Sequence, residues 1–314
     1  MAIIWRHSAL AQRHAEIGGD LEDWNGMGTA WFYDDTSERA QADYEAIRTK
    51  AGLMDVSGLK KVHLVGPDAA YVIDRVTTRN VDKIGVGRCT YAAILNDDGK
   101  FIDDCVIYHL NVNQWMVVHC TGTGMEQLTS VAAAKNCAVL FDDDLHDMSL
   151  QGPVAVDFLA KHIKGIRDLA YFGVLHTKLF GKNVMISRTG YTGERGYEIY
   201  VAAKDAVHVW DNILSDGAEM GITAVQFSTL DLLRTESYLL FYPGDNSETY
   251  PFEDEVCGDT LWELGLEFVV SPGKTGFIGA ENHYAAAGKE RFKIYGVLLD
   301  GTTPADEGAE LHQD

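Results

Sequence analysis

The sequence predicts an α+β protein. Runs with period-two alternation, suited to half-buried strands, are interleaved with segments whose apolar residues recur at helical spacing. This order occurs twice, each time introduced by a Gly-Pro turn, at Gly66-Pro67 and Gly152-Pro153. At 314 residues the chain is long enough for two or three domains with sizeable cores.

Residues 35–53 are rich in charge and helix formers, with Ala40, Tyr44, Ile47 and Leu53 at helical spacing, and predict a helix. Lys60 to Val65 alternates as a strand, Gly66-Pro67-Asp68 turns, and Ala69 to Val76 predicts a helix with proline near its start. Runs at 88–96 and 100–109, separated by Asn96-Asp97-Asp98-Gly99, predict a hairpin. Val112 to His119 predicts a further strand and Met125 to Lys135 a further helix. The second cycle opens at Leu150-Gln151-Gly152-Pro153. It gives a helix over Val154 to His162, strands around 183–187 and 196–201, and a helix at 204–215. The two cycles hint at an internal duplication of structure with slight sequence identity. Residues 228–240 predict a helix carrying Arg234 and Glu236, and the acidic, turn-rich stretch 242–262 reads as a functional loop or an insertion. A short helix after Phe277-Ile278-Gly279 and a strand from Phe292 to Leu299 complete the pattern. Gly308-Ala309-Glu310-Leu311 resembles the approach to another strand, so a C-terminal β domain looks truncated.

Net charge is −21. Nucleic acid and anionic membrane surfaces need clustered Lys and Arg, so the balance argues against both as partners. It fits plain solubility, a salt-exposed source or a cationic substrate. Five cysteines are scattered without a C-x-x-C pair, which favours a reducing compartment and gives little support to a zinc site. With no long apolar run and no leader-like start, the expectation is a cytoplasmic protein.

The densest motif is Ser187-Arg188-Thr189-Gly190-Tyr191-Thr192-Gly193-Glu194-Arg195-Gly196-Tyr197-Glu198. Its glycines suit close approach of backbone to a ligand, or simply a glycine-rich turn. Tyr191 and Tyr197 offer flat faces, and Glu198 offers a carboxylate that can accept a pair of N–H groups from a planar heterocycle. Asp103 and Asp104 lie in an otherwise apolar strand, where alternation sends them to opposite faces. The inward one is expected to have a raised pKa suited to proton handling; equally, both simply end the hairpin. Arg234 could clamp a ligand carboxylate or form a salt bridge with Asp231 or Glu236. Tyr91 and Tyr171 are pocket aromatics or core.

These pieces together resemble the tetrahydrofolate-dependent aminomethyltransferases: the T-protein of the glycine cleavage system and its demethylase relatives. The matching segments are Ala51-Gly52-Leu53-Met54-Asp55-Val56-Ser57, Val65-Gly66-Pro67-Asp68-Ala69, Tyr91 with Leu95-Asn96-Asp97-Asp98-Gly99 and Ile102-Asp103-Asp104, Leu150-Gln151-Gly152-Pro153, Arg188 to Glu198, Asp231-Leu232-Leu233-Arg234-Thr235-Glu236, and Phe277-Ile278-Gly279. The resemblance implies a three-domain ring around a folate-binding hole, with two related α+β layers and a C-terminal β-barrel. On this chain that becomes residues 1–52 plus 140–230, residues 53–139 plus 231–278, and residues 279–314 as an incomplete β domain. It implies tetrahydrofolate as cofactor, Asp104 as the catalytic carboxylate, and Glu198, Tyr191, Tyr171, Arg234, Tyr91 and Tyr242 around the folate, with no metal. It also implies an enzyme moving a methyl or aminomethyl group from a small amine or sulfonium donor to folate. The alternatives are a T-protein acting on a lipoyl carrier protein and a non-enzymatic folate-binding relative of iron–sulfur assembly factors.

Four departures concern the donor. The family's D-V-S-H-M is here Asp55-Val56-Ser57-Gly58-Leu59, so a histidine is missing. Phe268 stands where a tryptophan is expected, and the loop from Phe241 to Pro251 is longer and more acidic. Trp5, Trp24 and Trp31 lie in an N-terminal stretch without counterpart. A strongly acidic chain would also repel the acidic lipoyl carrier, which favours a small free donor.

Overall fold

A computed structural model describes residues 6–249, 257–301, 303, 305 and 308–310. The chain opens with β1 (Arg6–His7), α1 (Ala11–Glu16), β2 (Asp20–Trp24), β3 (Met27–Phe32), α2 (Ser37–Thr49) and β4 (Ala51–Asp55). The first predicted cycle follows as β5 (Lys60–Val65), α3 (Ala69–Val76), β6 (Arg88–Leu95), β7 (Phe101–Asn111), β8 (Gln114–His119), α4 (Gly124–Ala132) and β9 (Ala138–Phe141). The second comprises β10 (Leu145–Gln151), α5 (Ala155–His162), β11 (Val174–Leu179), β12 (Lys182–Ser187), β13 (Gly196–Ala202), α6 (Ala203–Gly217) and β14 (Ile222–Ala224). The helices α7 (Thr229–Glu236) and α8 (Ala280–Ala285) lie in the remaining, largely irregular segment.

Three sheets result. β1-β3-β2 form a small N-terminal sheet, β11-β12-β13-β10-β4-β14 a six-stranded sheet, and β6-β7-β8-β5-β9 a five-stranded one. Each large sheet covers one face with helices. On β13, Tyr197, Ile199 and Val201 pack with Phe158 of α5 and Trp210 of α6. On β7, Cys105 and Ile107 pack with Ile73 of α3 and Leu128 of α4. The alternate residues face the other way, and there the two sheets meet: Tyr108, Met116 and Val118 of one pack against Met185 and Tyr200 of the other. The irregular C-terminal segment brings Tyr242, Leu261, Leu266 and Phe277 over the end of the β6–β7 hairpin, onto Leu95 and Phe101.

The α+β class and the order of the first cycle stand as expected, and the second cycle gains an unexpected strand, β11, ahead of β12. The helix expected over 35–53 is instead α2 followed by β4, because Ala51–Asp55 is buried throughout and pairs with both β10 and β14. A fully buried central strand reads as a plain apolar run, which periodicity alone does not separate from a helix. The division expected at 52/53 falls inside β4, and that at 139/140 inside β9. No strand forms over 292–299: these residues find no ladder partner among the described residues, and Leu298 is fully exposed. Residues 250–256 of the acidic loop lie outside the described residues, as do Trp5 and part of the C-terminal stretch.

Candidate functional site

Alternation along β7 puts Asp103 and Asp104 on opposite faces, as expected. Asp103 points inward beneath α4 and is fully satisfied. Its Oδ2 accepts from His119 Nδ1 (2.8 Å) and the Gly124 N–H (3.0 Å), and its Oδ1 accepts the Asp104 N–H (3.0 Å). Asp104 is half-buried on the inter-sheet face, and its Oδ2 accepts the Tyr91 hydroxyl at 2.8 Å. Burial, and then the neighbouring Asp103 charge, push the Asp104 carboxyl up to about 7, against the lowering effect of Tyr91. The raised pKa thus belongs to Asp104, on the inter-sheet face.

Glu198 on β13 reaches the same inter-sheet layer. Its Oε2 accepts from four hydroxyls: Thr189, Tyr108 (3.2 Å), Tyr200 (3.4 Å) and Ser187 (3.5 Å). Its Oε1 makes no hydrogen bond among the described residues. Burial raises its pKa, and the four hydroxyls oppose that rise. One oxygen is therefore fixed in place and the other left over for a donor from outside the chain. Asp147, fully buried nearby, has neither carboxyl oxygen hydrogen-bonded among the described residues, and burial followed by the Glu198 charge pushes its pKa well up. The fully buried Lys61, whose Nζ donates to the Ser57 and Leu59 carbonyls at 2.6 and 2.7 Å, is pushed down to about 8 by burial.

Tyr91, Tyr191 and Tyr242 gather around Asp104. Burial chiefly raises Tyr191 and Tyr242, and the Asp104 charge adds to both, after Glu248 in the case of Tyr242. The Tyr191 hydroxyl donates to the Leu240 carbonyl, and the Tyr242 hydroxyl to Glu248 at 2.7 Å, so both rings are held by their tips. Tyr171 is 60% exposed, its ring edge-on to Phe172. Arg234 is committed to Asp231 and Asp245, which is the salt-bridge alternative rather than a free clamp. Tyr197 is fully buried in the core beneath the six-stranded sheet and offers no face to a ligand.

The glycine motif serves a neighbouring side chain. A Cβ on Gly190 or Gly196 would lie 2.1 or 1.9 Å from Gln151 Oε1. Gln151, from the Leu-Gln-Gly-Pro segment, fills that space and donates to the Thr189 carbonyl at 3.1 Å, which steadies the residue that grips Glu198. The missing histidine has a similar explanation. A Cβ on Gly58 would sit 2.3 Å from the Trp24 ring, so the N-terminal sheet occupies the place where a side chain would project. Trp24 and Trp31 pack on Phe227 in tilted contacts, with centroids 4.5 and 4.7 Å away. Asn25 beside them donates to the Gly58 carbonyl and to Cys120 Sγ, whose pKa is raised by burial and by Asp104.

Sequence reasoning missed His119 as the partner of Asp103, and the hydroxyl cage of Glu198. Tyr108 was legible in principle, since it shares the Asp104 face four residues along the same strand. An open cleft of about 790 Å³, lined by His63, His176 and Lys178, lies elsewhere and meets this network only at Tyr200. Among the described residues no cluster of three or more His, Cys, Asp or Glu side chains could hold a metal ion, and no helix is long and apolar enough to cross a membrane.

Comparison with known proteins identifies the family. The family described as the GCVT N-terminal domain matches residues 10–274. The gamma subunit of a heme-dependent oxidative N-demethylase from Ectopseudomonas mendocina is 60% identical over 314 residues, all of this chain and 83% of the relative. An aminomethyltransferase of Saccharopolyspora erythraea is 30% identical over 304 residues, covering 94% of this chain and 79% of that one. The crystal structure of the glycine cleavage system aminomethyltransferase T of Bartonella henselae superposes with a TM-score of 0.78 at 22% identity, over 91% of this chain and 75% of that one. The chain belongs to the GCVT family of folate-dependent aminomethyltransferases and demethylases.

Proposed function

We propose that this protein is the folate-handling subunit of an oxidative N-demethylase, and that it loads onto tetrahydrofolate the one-carbon unit released from an N-methylated amine. The observation that carries the reading is the pairing, on one inter-sheet layer, of a fixed carboxylate with one free oxygen (Glu198) and a carboxyl poised near neutrality (Asp104). When bound, tetrahydrofolate supplies the nucleophilic nitrogens that take up the carbon.

The residues present suit such a ligand. Glu198 Oε1 would accept N–H groups from the pterin, a charge-assisted contact that fixes its orientation. Tyr91 and Tyr191 would border it, with Tyr171 at the rim and Tyr242 behind. Asp104 would take a proton from the reacting nitrogen and stabilise positive charge as it develops there, a role for which a pKa near the working pH is favourable. Arg234, tied to Asp231 and Asp245, would brace the 239–245 segment that holds Tyr191.

An amine donor oxidised on a partner subunit is favoured over a lipoyl carrier. The relative at 60% identity is named as one subunit of an oxidative N-demethylase, whereas the aminomethyltransferase from Saccharopolyspora stands at 30%. The test is turnover of the complex isolated from native cells through a tag on this chain. Given a methylated amine, it should release free formaldehyde without tetrahydrofolate and much less with it, and Asp104→Asn should restore the release. Equal release with and without folate would overturn the reading.

A further inference from the structure

Arg48, in the last turn of α2, ties that helix to the glycine motif and to α7. Its Nη1 donates to the Thr192 carbonyl at 2.6 Å and to Glu194 Oε1 at 3.2 Å, both in the glycine motif. Its Nη2 donates to Glu236 Oε2 at 2.7 Å and to the Leu233 carbonyl at 3.4 Å, both in α7. The Tyr44 hydroxyl, one turn back on α2, donates to the same Glu236 carboxylate at 3.0 Å. A guanidinium suits this place because its N–H groups diverge in a fixed fork and serve two segments at once, whereas an ammonium is a single point of charge. The Arg48 side chain is 18% exposed, unlike the loosely held pairs of an open surface.

The Thr192 carbonyl is the centre of this arrangement. It accepts a second hydrogen bond, from Ser237 Oγ at 3.0 Å, just beyond the end of α7, so both of its lone pairs are filled. Gly193 makes that approach possible: its φ is +78°, and a Cβ there would lie 2.1 Å from Ser237 Oγ. Directly before this pinned peptide stands Tyr191, whose hydroxyl donates to the Leu240 carbonyl and whose pKa is raised by burial and then by the Asp104 charge. Thr192 Oγ1 donates to Gln151 Oε1 at 3.4 Å, and Gln151 donates to the Thr189 carbonyl at 3.1 Å. Thr189 in turn donates to Glu198. The backbone beside Tyr191 and the tip of its ring are thus fastened to one stretch, Leu233 to Leu240, and the grip on Glu198 runs through the same loop.

We infer that Arg48 is a positioning residue for the folate ring: it locks the peptide that follows Tyr191 to α7 and so sets where Tyr191 and Glu198 stand relative to Asp104. The inference rests on the folate reading above and adds a residue that acts through the loop rather than on the ligand. A displacement of about 1 Å at a reacting centre can cost about a hundredfold in rate, so a clamp one layer behind the ligand is felt in binding and turnover. A role in stability alone would lower the melting temperature and leave the folded protein with normal affinity.

The test compares the wild type with Arg48→Lys, which keeps the charge and loses the fork, with Ser237→Ala and with the double variant, each well below its own melting transition. Calorimetric titration with tetrahydrofolate should give a dissociation constant about tenfold higher in Arg48→Lys. Ser237→Ala removes only the second donor to Thr192 and should raise it about threefold, which keeps the test in hand if Arg48→Lys does not fold. The losses in the double variant should combine to less than their sum, because both side chains act on one carbonyl. In the complex isolated from native cells, saturating tetrahydrofolate should suppress formaldehyde release less completely with Arg48→Lys than with the wild type. Wild-type affinity in both folded single variants would overturn the positioning role while leaving the folate reading in place, and so would strict additivity. Absence of folate binding by the wild type would overturn both.

Discussion

Asp104→Asn should remove activity and, at the same time, stabilise the protein in alkaline solution. The native state holds a proton on Asp104 up to about pH 7, whereas an exposed aspartate releases it near 3.8. The sign follows from that order. Stability linked to this group is fully present below the unfolded pKa, is lost as pH rises through the interval, and stays lost above the folded pKa. A gap of about 3 pH units at 1.36 kcal/mol each is roughly 4 kcal/mol, and solvent screening of a half-buried group cuts this to about 2 kcal/mol. Asparagine has the same shape, can still accept the Tyr91 hydroxyl, and has no proton to lose. Urea unfolding of both proteins from pH 4 to pH 8.5 should show equal stability at the acid end and an advantage of about 2 kcal/mol for the variant at the alkaline end. A flat difference across that range would refute the claim that the native fold pays to hold a carboxylate at this position.

Three further changes probe the surrounding residues. Tyr91→Phe deletes a hydrogen bond to the ionised form of Asp104, so the pH at which activity sets in should rise by about 1 to 2 units; an unmoved pH–rate profile would separate Tyr91 from Asp104. Asp103→Asn removes the adjacent charge and should move the same profile the other way, with some loss of stability because the amide has one acceptor oxygen for the three donors that the two carboxylate oxygens serve. Gly58→Ala should destabilise by about 1 to 3 kcal/mol through overlap with Trp24. In Trp24→Ala/Gly58→Ala the two costs should combine to less than their sum in chemical unfolding, and strict additivity would show that the two positions do not meet.

The sequence made legible those elements whose pattern is local. The β5–α3 unit and the β6–β7 hairpin follow from alternation, a Gly-Pro turn and an Asp-Gly turn, and they lie where expected. Asp104, Tyr91 and Glu198 could be named because their motifs are contiguous. What escaped depends on long-range contact. β4 is buried on both sides and shows no alternation to read. The cage around Glu198 unites Tyr108 with Thr189, and its members come from different sheets. Gly58 appeared as the loss of a histidine, while its cause, Trp24, stands on a hairpin in a segment with no recognised motif. Tyr197 was misread for the opposite reason: period two puts it on the face opposite Glu198, in the helix-covered core.

Calorimetric titration of tetrahydrofolate monoglutamate into the wild type and into Glu198→Gln tests the central claim most directly. Glutamine keeps the shape and the hydroxyl contacts but gives up the charge that Oε1 offers to N–H donors. Measurable wild-type binding, weakened roughly tenfold to a hundredfold in the variant, is the predicted result, corresponding to about 1.5 to 3 kcal/mol for a charged hydrogen bond. Equal affinity in the two proteins, or no binding by the wild type, would contradict the assignment of this carboxylate layer as the folate site.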